Sequence, residues 1–183
     1  MPPLPLSGRD LTIDNVIEVA RGRRAVSVDS DAARRMRESR DVIERLVADG
    51  ATVYGVTTGF GDLADVRIES SQTAELQRNL VRSHAAGVGH PLPDEVVRAM
   101  LVLRANTLAV GLSGVRVEVV ELLVGMLNGA IHPVVPSRGS LGASGDLAPL
   151  AHLTLVLIGE GEATVDGAGP GSGAEGLGRA GLT

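Results

Sequence analysis

Apolar residues recur every three to four positions along most of the chain, which is the spacing of helices that bury one face. Thr12 precedes a short helix of this kind, and Asp29-Ser30-Asp31 opens a longer helix that Gly50 closes. The same spacing predicts further helices over 70–86, 94–110, 115–128 and 147–159. Ser113 is the expected N-cap of the helix over 115–128.

Short apolar runs between the helices predict a few strands. They are 25–28, 52–56 and the extended stretch 132–139, and residues 161–167 resemble the first arm of a hairpin. The pattern as a whole predicts a mainly α fold class. An N-terminal α+β part with short strands is expected to lead into the first helices of a long helical bundle.

Three of the predicted helices, 94–110, 115–128 and 147–159, are apolar on more than one stripe, as in helices surrounded by other helices. Few elements remain to surround them, so we expect oligomerisation through them or a truncated chain that is the first part of a longer one. Beyond Asp166 the chain becomes rich in glycine and alanine. The predicted organisation is an α+β part over 1–110, the start of a bundle over 111–166, and a linker or disordered end over 167–183.

The composition excludes several classes of protein. The 183 residues carry 17 basic and 22 acidic side chains, a net charge of −5, which provides no basic face for nucleic acid. Cysteine is absent and no two histidines have metal-ligand spacing, so neither disulfides nor a metal are expected. The start lacks the pattern of a signal peptide, and no apolar run approaches the length of a membrane span. We therefore expect a cytoplasmic protein with no membrane partner.

One loop of small residues has an unusual chemical capacity. Ala143-Ser144-Gly145 follows two prolines and precedes Pro149, so the loop is held at both ends. Gly145 has the least hindered backbone nitrogen and can bend back to the carbonyl of Ala143. Ring closure with loss of water, and loss of a second water from Ser144, would give an electrophilic methylidene-imidazolone. The plainer interpretation is a flexible turn with Asp146 as the N-cap of the next helix.

Four segments resemble, in order, the histidine, phenylalanine and tyrosine ammonia-lyase family. They are YGVTTGFGDLA (54–64), LQRNLVRSHAAGVG (76–89), RANTLAVGLSGVR (104–116) and GSLGASGDLAPLAHLTLVLIGEGEA (139–163). The resemblance runs from about residue 10 to residue 166. It implies an ammonia-lyase/fumarase-like helical bundle in a much longer protein, a homotetramer whose subunits share active sites, and a small amino acid as substrate.

The resemblance assigns the cofactor to the small-residue loop. Ala143, Ser144 and Gly145 would form 4-methylidene-imidazol-5-one, with Ser144 supplying the methylidene carbon. Asp146 matches the acidic residue that follows the triplet and would assist the cyclisation. No metal and no nucleotide is implied.

Substrate-handling residues are implied in two other segments. Tyr54 would transfer a proton at the substrate, Ser83 and His84 would contact it, and Gly61 of the tyrosine loop is assigned to substrate binding. Taken alone, a single tyrosine is more often a half-buried core residue, and a single helix histidine is more often structural or solvent-facing. The remaining histidines are assigned structural roles only: His90, His132 and His152.

Several functional alternatives remain open. The Ser-His pair is typical of histidine ammonia-lyases, which form urocanate, but some tyrosine aminomutases also carry it. A tyrosine or phenylalanine lyase, an aminomutase and a non-catalytic truncated homologue are the alternatives. A glycine pattern at Gly59 and Gly61 resembles a dinucleotide fingerprint, but Asn79 stands where that fingerprint needs an acid. Residues from beyond this region complete the family's site, so the chain alone is expected to be a poor catalyst or inactive.

Overall fold

The computed structural model describes residues 1–58, 70–142 and 144–182, and within them it is mainly helical. The helices are α1 Ile13–Ala20, α2 Ser30–Ala48, α3 Ser70–His84, α4 Asp94–Ala109, α5 Val117–Asn128, α6 Leu147–Leu157 and α7 Gly173–Arg179. The strands are β1 Leu4–Leu6, β2 Val26–Val28, β3 Val88–Pro91, β4 Ile131–Pro133, β5 Pro136–Arg138, β6 Glu162–Val165 and β7 Gly171–Ser172. The predicted mainly α class with short strands is confirmed.

The strands form three small sheets that tie helix ends together. Strands β1 and β2 pair in parallel, with Leu4 opposite Val26. Strands β3 and β5 are antiparallel, with Val88 opposite Arg138 and Pro91 opposite Pro136. Strand β6 lies between β4 and β7, and both pairs are antiparallel, so the hairpin predicted from 161–167 is present.

Helix ends follow the capping residues in the sequence. Thr12 and Asn15 form a reciprocal capping box at the start of α1. The Asp29 carboxylate accepts the Ala32 N–H at the start of α2, and Gly50 follows its end with φ +70°. The predicted cap at Ser113 is wrong, because α5 begins later, with Arg116 at the N-cap position and no side-chain cap bond.

The strand predicted over 52–56 is also wrong, because these residues enter a turn. The Thr57 hydroxyl accepts the Val53 N–H at 2.8 Å and donates to the Ala51 carbonyl at 2.9 Å. Gly55 has φ +71°, a left-handed conformation that interrupts an extended strand. Local bonds from a threonine side chain therefore replace the ladder that the β-branched residues predicted.

The aliphatic core is centred on α4 and α5, which pack against each other and against α1, α2 and β2. Leu101, Val102, Leu123 and Met126 are among its fully buried side chains. Among the described residues, the Arg98 cation of α4 lies inside this core, at 3% exposure. Its charge is accommodated by carbonyl oxygens at the ends of α1 and α5, where helix dipoles favour a cation.

The segment predicted as a linker or disordered end, 167–183, differs in the structure. Strand β7 pairs with β6, and Ser172 forms a capping box with Glu175 at the start of α7. Leu177 is 5% exposed and joins the core. Small residues permit this packing, because a Cβ at Gly173 would lie 2.2 Å from the carbonyl oxygen of Glu160. In this segment, a glycine-rich composition that is typical of linkers permits close packing against neighbouring backbone. The predicted boundary between residues 110 and 111 stays a prediction.

Candidate active site

The loop before α6 is closed by two serine hydroxyls. Ser144 Oγ donates to Asp146 Oδ1 at 2.7 Å, and Ser140 Oγ donates to the carbonyl of Gly145. Gly142 and Gly145 have φ +82° and +69°, so glycine is required at both bends. Ala143, the first residue of the predicted triplet, lies outside the described residues.

Asp146 does not act as the simple helix cap that the plainer interpretation requires. It occupies the N-cap position of α6, but its side chain makes no capping bond to the helix. Its carboxylate accepts the Ser144 hydroxyl instead. A carboxylate at this distance polarises the hydroxyl and can exchange a proton with the loop, as acid–base chemistry at Ser144 would need.

Tyr54 lies on the turn over residues 54–57 and is 63% exposed. Exposure excludes the half-buried core role that is common for a lone tyrosine. Below the turn, Thr58 is buried, and its hydroxyl accepts the Gly55 N–H at 3.2 Å. The turn is thus anchored from inside while the phenol ring faces outward. Gly61, predicted to bind substrate, lies outside the described residues.

Ser83 and His84 end α3 and share one backbone acceptor. Ser83 Oγ donates to the Leu80 carbonyl at 2.8 Å, and His84 Nδ1 lies 2.8 Å from the same oxygen. A carbonyl oxygen only accepts, so His84 Nδ1 carries the proton in this arrangement and Nε2 is the acceptor nitrogen. The sequence therefore holds the imidazole in one tautomer.

Packing brings the segment that follows α3 beside the strand that leads into the triplet loop. Helix α3 packs on α6, and β3 pairs with β5, which leads into the loop. Gly87 lies three residues beyond His84, and a Cβ at Gly139 would lie 3.0 Å from the Gly87 Cα. The contact therefore joins the segment after α3, whose last turn carries Ser83 and His84 (the Ser83–His84 turn), to the segment that precedes the Ser144 loop. Among the described residues, no hydrogen bond joins the Ser83–His84 turn to the Ser144 loop directly.

The tyrosine turn meets α3 further back along the helix. Gly55 and Thr57 line an open cavity together with Gln77 of α3. Gln77 lies seven residues before His84, two turns or about 10 Å along the axis and on the same face. Helix α3 thus connects the tyrosine turn with Ser83 and His84 at its end.

Two links at this place were not predicted from the sequence. Arg82 donates two bonds to Glu160, at 2.7 and 2.8 Å, and these hydrogen bonds lower the pKa of Glu160. His152 Nε2 accepts the Gly87 N–H at 3.0 Å, and burial lowers the pKa of His152. Arg82–Glu160 spans 78 residues and Gly87–His152 spans 65. No local signal in the sequence identifies partners at such separations.

The described residues contain neither a cluster of metal ligands nor a helix that could span a membrane. Over 1–58, 70–142 and 144–182, no group of three or more His, Asp or Glu side chains could hold a metal ion. In the same ranges no helix is both long and apolar enough to cross a membrane.

A mainly helical fold with an Ala-Ser-Gly loop, a Ser-His pair at the end of a helix and an exposed tyrosine turn defines a class of lyase. The family model described as aromatic amino acid lyase matches residues 11–183, and the chain belongs to that family. It is 51% identical over 182 residues to the histidine ammonia-lyase of Alkaliphilus metalliredigens, covering 100% of this chain and 36% of the relative. The chain spans about a third of the length of the curated relatives it matches.

Solved structures with the same fold carry different activities in their names. The ergothionase of Treponema denticola, an ergothioneine-degrading enzyme, superimposes with a TM-score of 0.94 at 35% identity, over 100% of this chain and 36% of that one. The tyrosine aminomutase of Streptomyces globisporus has a TM-score of 0.90 at 39% identity, over 99% of this chain and 34% of that one. The fold is therefore shared by enzymes with different substrates.

Proposed function

We propose that this chain supplies the electrophile-forming loop and part of the substrate pocket of an ammonia-lyase that converts L-histidine to urocanate and ammonia. The observation that carries the proposal is the Ser144–Asp146 bond, in a loop bent by two left-handed glycines. The sequence similarity to a histidine ammonia-lyase supports the same reaction. The activity is that of a carbon–nitrogen lyase.

The triplet fits the family's self-formed cofactor. Ser144 carries a hydroxyl that can be lost as water, Asp146 can exchange the proton, and Gly145 has no side chain to hinder its nitrogen. Residues 143–145 would thus become 4-methylidene-imidazol-5-one, which supplies an electrophile that promotes departure of the substrate amine. Neither a metal nor a nucleotide is part of this proposal.

The other site residues bind the substrate and move protons. Tyr54 presents its phenol to solvent and serves as the base or proton carrier at the substrate β-carbon. His84 Nε2, held as an acceptor by the Nδ1 contact to Leu80, accepts the imidazole N–H of a histidine substrate. Ser83 lies beside it, with Oγ 3.2 Å from His84 Nδ1, and contributes to the same pocket. Gly61 belongs to the proposed substrate pocket through the tyrosine loop.

A second candidate has a specific observation in its favour. The chain resembles a tyrosine aminomutase structure at 39% identity, and a Ser-His pair occurs in some such enzymes. Turnover of tyrosine or phenylalanine, by elimination or by amine migration, is therefore the alternative reaction. A non-catalytic homologue that only associates with other subunits is the alternative of a different class.

Two exposed apolar side chains are consistent with assembly into an oligomer. Leu141, in the triplet loop, is 88% exposed, and Leu112, between α4 and α5, is 86% exposed. We propose a homotetramer in the cytoplasm whose subunits cover these side chains and complete the site. Its ligand is a small amino acid, without nucleic acid or membrane.

The intact mass of the purified chain tests the proposed cofactor. A loss of two waters, about 36 Da, is expected within the peptide that contains residues 143–145. The Ser144→Ala variant should keep its full mass, while Ser137→Ala, on β5 outside the triplet, should lose two waters. An unmodified wild-type mass would overturn self-formation by this chain.

Turnover then tests the substrate. The full-length parent enzyme, with its loop mature, is supplied with L-histidine, L-tyrosine and L-phenylalanine, and released ammonia and the product spectrum are followed. Urocanate from histidine alone is the expected result. Preferential turnover of tyrosine or phenylalanine would support the alternative reaction. A mature loop with no turnover of any of the three amino acids would support the hypothesis of a non-catalytic homologue.

A further inference from the structure

His152 forms an unusual hydrogen bond with the backbone of another segment. The Gly87 N–H donates to His152 Nε2 at 3.0 Å. The accepting nitrogen must be unprotonated, so His152 is a neutral imidazole with its proton on Nδ1. A Cβ at residue 87 would lie 3.0 Å from Nε2, tighter than most Cβ contacts, so glycine at this position leaves room for the bond.

The Gly87–His152 bond connects two parts of the candidate site, the segment after the Ser83–His84 turn and the helix after the triplet loop. Gly87 follows His84 by three residues, and His152 follows Asp146 by six residues on α6. Around it, β3 pairs with β5, and Gly139 approaches the Gly87 Cα. The backbone after the Ser83–His84 turn is thus tied to the helix that starts at the triplet loop.

We propose that His152 is a positioning residue. By accepting the Gly87 N–H, it fixes the position of the Ser83–His84 turn relative to the loop that carries Ser144. The inference rests on the proposed lyase function, since it names what aligns the substrate-contacting turn with the electrophile. His152 touches neither the substrate nor the reacting atoms. It acts through the backbone of Gly87 and through its own helix.

The buried surroundings of His152 keep its Nε2 able to accept the Gly87 N–H. Burial alone accounts for the lowered pKa of the His152 imidazole, and no charged side chain among the described residues contributes to it. A lowered pKa keeps Nε2 unprotonated at neutral pH, which the Gly87 N–H requires. The link therefore holds at the pH of a neutral compartment.

Two substitutions of His152 separate positioning from packing. His152→Leu fills a similar volume with an apolar side chain and removes the acceptor, whereas His152→Gln presents a carbonyl oxygen that can accept the same N–H. His90→Leu, at an exposed position of β3, is the matched control. Amide hydrogen exchange at Gly87 and residual dipolar couplings of the His84 and Asp146 amides are measured by NMR on the whole chain.

The expected result is a Gly87 amide that exchanges about tenfold faster in His152→Leu, because a backbone hydrogen bond is lost. The orientation of the His84 amide relative to the Asp146 amide should change in the same variant. His152→Gln should restore both readouts, and His90→Leu should alter neither.

Two outcomes overturn the inference. One is a Gly87 exchange rate that His152→Leu leaves unchanged. The other is faster exchange with an unchanged orientation of His84 relative to Asp146, which would make the bond purely local. Neither readout depends on ammonia release, so failure of the lyase proposal is scored separately by the mass and turnover experiments.

Discussion

Arg98 and Ser144 are both held by hydrogen bonds, but their partners lie at very different distances along the chain. Arg98 donates to the Val19 carbonyl from Nε and Nη2, at 3.1 and 2.9 Å, and to the Leu127 carbonyl at 2.9 Å. These partners are 79 and 29 residues away. Ser144 donates to Asp146, two residues away. Arg98 is buried, whereas Ser144 is exposed.

The bonds of Arg98 therefore contribute to the stability of the fold, whereas the bond of Ser144 belongs to the chemistry of the candidate site. The buried cation joins α1, α4 and α5, so its bonds exist only when the fold is complete. The triplet loop is shaped by bonds within itself and by glycines, so its geometry depends less on distant elements. Substitutions in the Arg98 region should therefore unfold the chain, and substitutions in the loop should remove its chemistry while leaving the fold intact.

The largest effect is expected for Arg98→Leu. The variant leaves the Val19 and Leu127 carbonyls buried without donors, at a cost of about 3 kcal/mol in the free energy of unfolding. Denaturant unfolding followed by circular dichroism measures this cost. Arg104→Leu, at an exposed position of the same helix, is the control and should stay within about 0.5 kcal/mol of the wild type. An Arg98 variant as stable as its control would refute the structural role of the cation.

A smaller loss is expected for Gly173→Ala, which tests whether the last helix belongs to the stable region. The added Cβ meets the Glu160 carbonyl oxygen, and the overpacking should cost about 2 kcal/mol. Hydrogen exchange over α7 and denaturant unfolding provide the measurement. Gly178→Ala in the same helix has no atom within 4 Å of its new Cβ and should stabilise by about 0.5 kcal/mol. Equal behaviour of the two variants would mean that α7 does not dock.

A moderate pH dependence of stability is expected from the buried imidazoles. Burial is the largest cause of the lowered pKa of His132, whose Nε2 faces Arg98 at 3.4 Å, and the sole cause of the lowered pKa of His152. Each pKa lies below the ordinary value of 6.5, so the unfolded chain binds more protons as pH falls. The stabilisation is present above pH 6.5 and is lost as the pH falls from there through the folded-state pKa values.

Urea unfolding at a series of pH values from neutral to mildly acidic measures this dependence. The slope contributed by each imidazole cannot exceed about 1.4 kcal/mol per pH unit. His132→Leu should flatten the profile, whereas His90→Leu, at an exposed position, should leave it unchanged. Stability that rises as the pH falls would contradict the assignment of neutral buried histidines.

The smallest effect on stability is expected for Ser144→Ala. The lost hydroxyl is exposed and bonds only to a nearby exposed carboxylate, so the free energy of unfolding should change by less than about 0.5 kcal/mol. The loss of two waters should nevertheless disappear completely from the intact mass. A destabilisation as large as that of Arg98→Leu would abolish the distinction between the two regions.

Much of the helical framework could be predicted from periodicity and caps. Thr12, Asp29 and Gly50 mark helix ends that the structure confirms, because capping is a local interaction between residues a few positions apart. The strand expected over 52–56 was wrong since Thr57 makes side-chain bonds that periodicity does not register. The terminal segment was misjudged because composition does not reveal which glycines are in close contact.

Sequence motifs identified the residues of the candidate site, and the structure showed which other residues they contact. Ser144, Asp146 and His84 stand in recognisable motifs, and each makes short-range bonds that the motif itself contains. His152 stands in a motif too, but its role depends on Gly87, and that pairing follows from the β3–β5 sheet and the packing of α3 on α6.

The sequence by itself determined the mainly helical class, the caps at Thr12 and Asp29, the Ala-Ser-Gly loop and the family resemblance. These depend on spacing and on residue chemistry, which are local properties. Only the tertiary structure decided that Arg98 is buried among helix-end carbonyls, that α7 docks, and that Gly87 meets His152. Each of these needs segments far apart in the chain to share one surface, and no local pattern fixes which distant segments will do so.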